Sequence, residues 1–276
     1  MRFDRSVVAA AFDSYGEREW DRHDTSAQNR VAFEIHRRLL SRYVRAGDRV
    51  LEIGAGPGRF TVELARLGAK VTVTDISPAQ LELNERHVRD ADSEEAVQER
   101  ILVDLLDLSR FGVASFDRVV CYGAPLSFVL ARAEEGFVEL LRVARPGGTI
   151  LIGVASRFGT MRAFLAAVRD EIQEDGADWT EQVVATGDLV SPHSSLGIPM
   201  HLFTWEELRT MFVRHDCEIL AASASNFLST GDPEAAEWFT REPHRWERFL
   251  DWETRASEAH GAIDGGTQIV AAVRRP

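Results

Sequence analysis

The stretch Val50-Leu51-Glu52-Ile53-Gly54-Ala55-Gly56-Pro57-Gly58-Arg59-Phe60 decides the fold. Val50 to Ile53 reads as a buried parallel strand. Glycines at every second position then turn the chain, and from Thr61 the spacing of Val62, Leu64, Ala65 and Leu67 is helical. Strand, glycine turn and helix open a nucleotide-binding βαβ unit. Glycine serves there because a backbone without Cβ can lie against a ligand and take positive φ. A dinucleotide site needs G-x-G-x-x-G, with loop amides and a helix N-terminus on the pyrophosphate. Here Gly54, Gly56 and Gly58 give G-x-G-x-G, and Arg59 stands where the third dinucleotide glycine belongs. The turn suits close approach to a ligand and disfavours a dinucleotide-dependent oxidoreductase.

The 276 residues are enough to bury a full α/β core. The formal net charge of −12 argues against a nucleic-acid backbone as main partner, since phosphate contacts need clustered Lys and Arg. Cys121 and Cys217 sit far apart in apolar runs and read as buried thiols of a reducing compartment. No signal core and no membrane-length apolar run is visible, so the expected location is the cytoplasm, with no membrane partner.

Lys70 to Asp75 reads as the second strand and ends in a carboxylate twenty-one positions after Gly54. That spacing suits an acid that takes both hydroxyls of a ribose, because a carboxylate accepts two hydrogen bonds. Ser77-Pro78 starts a helix as N-cap and first helical residue. A short third strand, Ile101 to Val103, leads into Asp104-Leu105-Leu106-Asp107, and Phe116 to Cys121 is the fourth, with Tyr122-Gly123 in its exit loop. Arg145-Pro146-Gly147-Gly148 is the turn before strand five.

These stretches together resemble the class I S-adenosylmethionine-dependent methyltransferases, in particular a bacterial small-molecule subgroup. Val50 to Gly58 matches the family's first motif, roughly (V/I)LE(I/L)GxGxG, residue for residue. The resemblance covers nearly the whole chain and implies a doubly wound, seven-stranded, mostly parallel sheet with an antiparallel last strand. It implies S-adenosyl-L-methionine as cofactor. Glu52, Gly54, Ala55, Gly56 and Gly58 would follow its methionine and ribose parts, and Asp75 with Ile76 would meet the ribose. Asp104 would take the adenine amino group, with Asp107 as competing candidate, and Leu105 would pack on the ring. Cys121, Tyr122 and Gly123 would pass beneath the reactive methyl. The Asn-Pro-Pro-Tyr type sequence of enzymes that methylate planar amino groups is missing here, which lowers DNA adenine and protein glutamine as substrates.

One methyltransferase domain is expected over 1–276, carrying a helical cap (1–46), a lid or substrate insertion (156–203) and a helical insertion (231–262). The cap offers Tyr15, Trp20 and Arg30 as substrate-binding candidates, and an aromatic there can lie against a sulfonium. The aromatics of the last insertion, Trp238 to Trp252, read as packing. Transfer from a sulfonium requires positioning and exclusion of water, and a base only when the nucleophile arrives protonated. His193 and His201 are the candidates for that base and for contact with substrate, His201 being preferred. No metal cluster is visible in the sequence. The expected activity is methyl transfer to an O, N or C nucleophile of a small molecule, with a homodimer left open. The alternatives are a cofactor-binding protein without transfer and an RNA methyltransferase.

Overall fold

A computed structural model describes residues 2–190, 194 and 196–276. Nine strands occur among them: β1 Arg49–Ile53, β2 Lys70–Asp75, β3 Val97–Leu102, β4 Phe116–Cys121, β5 Ala144–Ala155, β6 Asp188–Leu189, β7 Met200–His201, β8 Glu218–Ala224 and β9 Gln268–Arg274. Seven of them form one sheet in the order β3-β2-β1-β4-β5-β9-β8, while β6 and β7 pair only with each other. Strands β1 to β5 run parallel, and β9 is antiparallel to both β5 and β8. The strand order reverses between β1 and β4, which opens a crevice at the carboxyl edge where open α/β sheets hold ligands. Because β9 runs backwards, its first residue, Gln268, pairs with Ala155 at the end of β5 and so lies on the same edge.

Alternation along the strands builds a core on each face. Leu51, Val119, Cys121 and Ile150 face one layer with Phe137 and Phe212. Val50, Val71, Val120, Tyr122 and Leu151 face the other, with Leu40, Phe60 and Leu64. Both faces of the central strands β1, β4 and β5 are covered, which is why these read as apolar runs, while the edge strand β3 is largely exposed.

The cap holds helix Arg5–Tyr15, a single turn Arg18–Asp21 and helix Ala27–Tyr43. Asp4 caps the first helix and Ser26 the last, each by accepting backbone N–H groups. The cap is tied to helix Pro78–Asp90. Asp13 accepts from the Ser77 hydroxyl and from Ala79 N, and Gln80 Nε2 donates to Phe12 O at 2.9 Å and Gly16 O at 3.2 Å.

Among the described residues of 156–203, helices Arg157–Ala163, Leu165–Asp175 and Asp178–Thr186 come before the β6–β7 pair. Buried Arg157 joins this segment together, donating to Leu202 O, Thr186 O and Glu207 Oε1. The capping box of Thr204 and Glu207 opens helix Trp205–Arg214 as its residues predict. Part of the final insertion packs against the cap as expected: Phe249 and Leu250 cluster with Val31 and Ile35, with Phe239 and Trp246 against them, whereas Trp238 and Trp252 are exposed.

Candidate functional site

The glycine loop forms the floor of the crevice. Gly54 has φ +67°, and a Cβ there would meet Pro125 Cγ at 2.6 Å, so a side chain is excluded both by backbone and by space. Gly56 has φ +53° and faces Glu19 and Gln80. Above the loop is a cavity walled by Gly54, Gly56, Asp75, Ile76, Asp104, Leu105 and Gly123, and roofed by Phe3, Val8 and Phe12 of the cap.

Asp75 ends β2 inside this cavity. Its carboxylate accepts Gly56 N–H at 2.8 Å and Ser77 N–H at 2.9 Å, one on each oxygen. Each oxygen keeps lone-pair capacity for a further donor, the requirement for a vicinal diol. Burial pushes its pKa up to about 6, against the pull of the Ser77, Gly56 and Ile76 amides and with added push from Glu19. A ligand that supplies two donors would favour its charged form.

Glu52 is placed differently from its sequence reading. It is turned away from the cavity, beneath the loop, where Thr61 Oγ1 donates to it at 2.7 Å. Burial pushes it up to about 8, with the Thr61 hydroxyl opposing and Asp75 adding to the rise. Ala55 is buried in the core, and Gly58 has φ +102° where Asn84 and Val88 leave little room for a Cβ. Neither reaches the wall of the cavity. Cys121 and Tyr122 are also behind it, on opposite faces of the sheet as alternation demands. Burial raises the Cys121 thiol to about 12 and the Tyr122 phenol well above its usual value. Of that trio only Gly123 lines the space.

A second, wider cavity adjoins the first and shares Phe12, Glu19, Gly123 and Phe128 with it. Its walls come from the cap (Tyr15, Arg18, Arg22, Gln28), from the 156–203 insertion (Phe164, Leu196, Met200) and from the strand ends (Ala155, Asn226, Gln268). Tyr15 is thus brought to the site. Trp20 is not: its ring stacks on His87 at 3.9 Å and carries the Arg59 guanidinium at 4.8 Å. Arg59, in the place of the missing glycine, also pairs with Asp24 and so fastens the cap to the loop helix. Arg30 is committed to Glu237 at 2.7 Å and to Asp24 O, away from both cavities.

His201 lines neither cavity. On the two-residue strand β7, Met200 points into the wider cavity and His201 to the opposite side, into a shallow depression with Thr186, Asp188 and Glu207. His201 Nδ1 lies 2.7 Å from Asp188 Oδ1, and Nε2 lies 3.8 Å from Glu207 Oε1. Burial opposes its charge, but these carboxylates outweigh burial and raise its pKa. The imidazole is held by these carboxylates and lies outside both cavities. His193 lies outside the described residues.

Glu19 and Arg22 were missed by the sequence reading. Arg22 Nε and Nη2 hold the Glu19 carboxylate at 3.1 and 2.6 Å, and Glu19 stands beside Gly56 where the cavities meet. Their i,i+3 spacing in a charged run is the only signal they carry, and it matches any solvated helix face. Gln268 gave no signal, since its place follows from the antiparallel register of β9.

A family model described as a methyltransferase domain matches residues 50–148. The chain is 39% identical over 110 residues to a demethylmenaquinone methyltransferase of Clavibacter sepedonicus, a match covering 39% of this chain and 41% of that one. It is 31% identical over 137 residues to a ubiquinone biosynthesis O-methyltransferase of Xanthomonas campestris pv. campestris, covering 47% and 52%. The chain thus spans about half the length of these curated relatives. Among solved structures, the 1,6-didemethyltoxoflavin-N1-methyltransferase of Burkholderia thailandensis aligns at a TM-score of 0.57 with 16% identity, over 98% of this chain and 88% of that one. The [4+2]-cyclase SpnF aligns at 0.55 with 17% identity, over 88% and 80%. At such identities the likeness is one of fold, and a methyltransferase and a cyclase share that fold. With the matched domain at its centre, the seven-stranded sheet around it and a glycine loop facing Asp75, the chain carries a region similar to a methyltransferase domain over residues 50–148 and shares its fold with solved methyltransferases.

Proposed function

We propose that the protein transfers a methyl group from S-adenosylmethionine to an O, N or C nucleophile of a small molecule. The observation that carries this reading is the pair of adjoining cavities with a shared wall at Phe12, Glu19, Gly123 and Phe128. In the narrower one, Asp75 would hold the ribose and Leu105 the adenine. Asp104 stands beside Leu105, its Oδ1 accepting from Leu106 N at 2.9 Å, with its other oxygen open to the adenine amino group. The Glu19–Arg22 pair offers charges of both signs for the amino-acid end of the cofactor. The wider cavity would take the acceptor, with Gly123 between donor and nucleophile. When bound, the cofactor supplies an activated methyl on a positive sulfur. The chain's own contribution is then alignment and dryness, and the cap helix Arg5–Tyr15 provides the roof.

The relatives named for quinone biosynthesis support a small organic acceptor, and the net charge of −12 weighs against RNA. No helix among the described residues is long and apolar enough to cross a membrane. The test is calorimetry with S-adenosylhomocysteine, followed by a metabolite screen with labelled methyl donor. Binding and labelling of a small compound are expected. Binding with no transfer to any small molecule, or transfer only to RNA, would overturn the reading.

A further inference from the structure

Behind the acceptor cavity lies a buried histidine whose hydrogen bonding has a consequence for the cavity wall. His36, on helix Ala27–Tyr43, is 3% exposed. Its Nδ1 lies 2.7 Å from Ala32 O, one helical turn back. A carbonyl oxygen only accepts, so Nδ1 carries the proton. Burial depresses the pKa to about 4, so the ring is neutral and Nε2 is a bare acceptor. Nε2 points toward β5, where Gly153 leaves it room: a Cβ there would come within 3.2 Å of Nε2. Tyr122 presents its Cδ1 edge to the same space, and the Gln268 amide, with which His36 interacts, reaches it as well.

The two ends of a glutamine amide have the same shape, and their assignment follows from the hydrogen bonds around them. With Gln268 Oε1 on the histidine side, two acceptors face each other and His36 Nε2 is left buried without a partner. An acceptor buried without a donor carries an uncompensated desolvation cost. Turning the amide over removes that cost, because Gln268 Nε2 then donates to His36 Nε2. The amide oxygen is thereby freed on the side of the acceptor cavity, which Gln268 lines. No other side-chain donor claims it among the described residues, whereas Asn226 Oδ1 nearby is spent on Thr267 N and Oγ1.

We infer that Gln268, fixed by His36, presents a carbonyl oxygen to the acceptor cavity, so that the site selects molecules carrying a hydroxyl or N–H donor at that point. This rests on the reading of the wider cavity as the acceptor site. Gln268 is here a recognition residue and His36 a positioning residue. An amide oxygen does not take the proton in the transfer; it orients the group that bears it.

The test uses full-length protein labelled with 15N in histidine and glutamine, with and without S-adenosylhomocysteine. In the wild type, His36 should show Nδ1–H and a hydrogen-bonded, unprotonated Nε2. In Gln268→Glu the carboxylate has no donor, so a proton should move onto His36 Nε2. Phenol and anisole serve as probes. Phenol should shift the Gln268 side-chain amide and anisole should not, and Gln268→Leu should weaken phenol binding by roughly 3- to 10-fold, the range of one hydrogen bond. A wild-type His36 protonated at Nε2 would overturn the inference, as would equal responses to phenol and anisole. Calorimetric binding of S-adenosylhomocysteine in the same samples tests the functional reading separately, since neither the tautomer nor the phenol comparison depends on it.

Discussion

The two cavities meet at one wall but are made of different material. The narrower one is built from backbone and strand ends: Asp75 ends β2, and Gly54, Gly56, Asp104 and Gly123 follow parallel strands at the crevice. The wider one is built from side chains of segments far apart in the chain, among them Tyr15, Gln28, Phe164, Met200 and Gln268. In the first, strand register sets the geometry, and one residue type fits each place. In the second, the sheet supplies only a floor, and the ligand is chosen by side chains that the fold does not dictate. Substitutions should therefore act as failures of binding on one side and as changes of preference on the other.

The largest effect is expected at Gly54. Gly54→Val forces a branched side chain to φ +67° and into Pro125, so cofactor affinity should fall below detection by calorimetry and Tm should drop. Retained affinity would mean that the loop does not carry the ligand. Asp75→Ala should weaken S-adenosylhomocysteine by about 1–3 kcal/mol, the loss of charge-assisted hydrogen bonds. The Gly56 and Ser77 amides would also lose their acceptor, so Asp75→Asn serves as the control that keeps part of that network.

A third prediction concerns pH. Glu52 holds a proton in the folded chain up to about pH 8, while the unfolded chain releases it in the ordinary carboxylate range. The folded state then binds more protons between those limits, so this group's contribution to stability declines as pH rises through that window. Glu52→Gln keeps an oxygen for the Thr61 hydroxyl and removes the titration. It should stabilise the unliganded protein at pH 8–9 by about 1–2 kcal/mol relative to its effect at pH 5. Denaturant titrations at both pH values measure this, and equal effects would show that Glu52 is charged throughout. The smallest effect is expected at His201. Its ion pair with Asp188 is partly exposed, so His201→Ala should cost about 0.2–1 kcal/mol of stability and leave turnover unchanged. A turnover loss of about 10²-fold or more would return His201 to the chemistry.

This contrast in material also explains what could be read from the chain. Glycine spacing, the carboxylate at the end of β2 and the acid after β3 are local patterns on regular strands. Position along the sequence therefore predicts position in space for Gly54, Asp75, Asp104 and Leu105. Facing is harder. Cys121 ends the expected strand and Tyr122 opens its exit loop, yet both point into the two cores, and of the three only Gly123 opens to the cavity. Likewise His201 and Met200 are neighbours with opposite facings on a strand too short to show a period. Trp20 and Arg30 read as binding residues because they are aromatic and cationic, yet His87, Arg59 and Glu237 from distant segments satisfy them. Glu19 and Gln268 reach the site only through the docking of the cap and the reversal of β9, which no local pattern encodes.

The most direct test of the two-cavity account is a crystal structure with S-adenosylhomocysteine bound. The account predicts the ribose hydroxyls on Asp75, the adenine against Leu105 and the sulfur directed past Gly123 into the wider cavity. A ligand bound elsewhere, or one whose sulfur faces away from the space between Phe128, Met200 and Gln268, would contradict it.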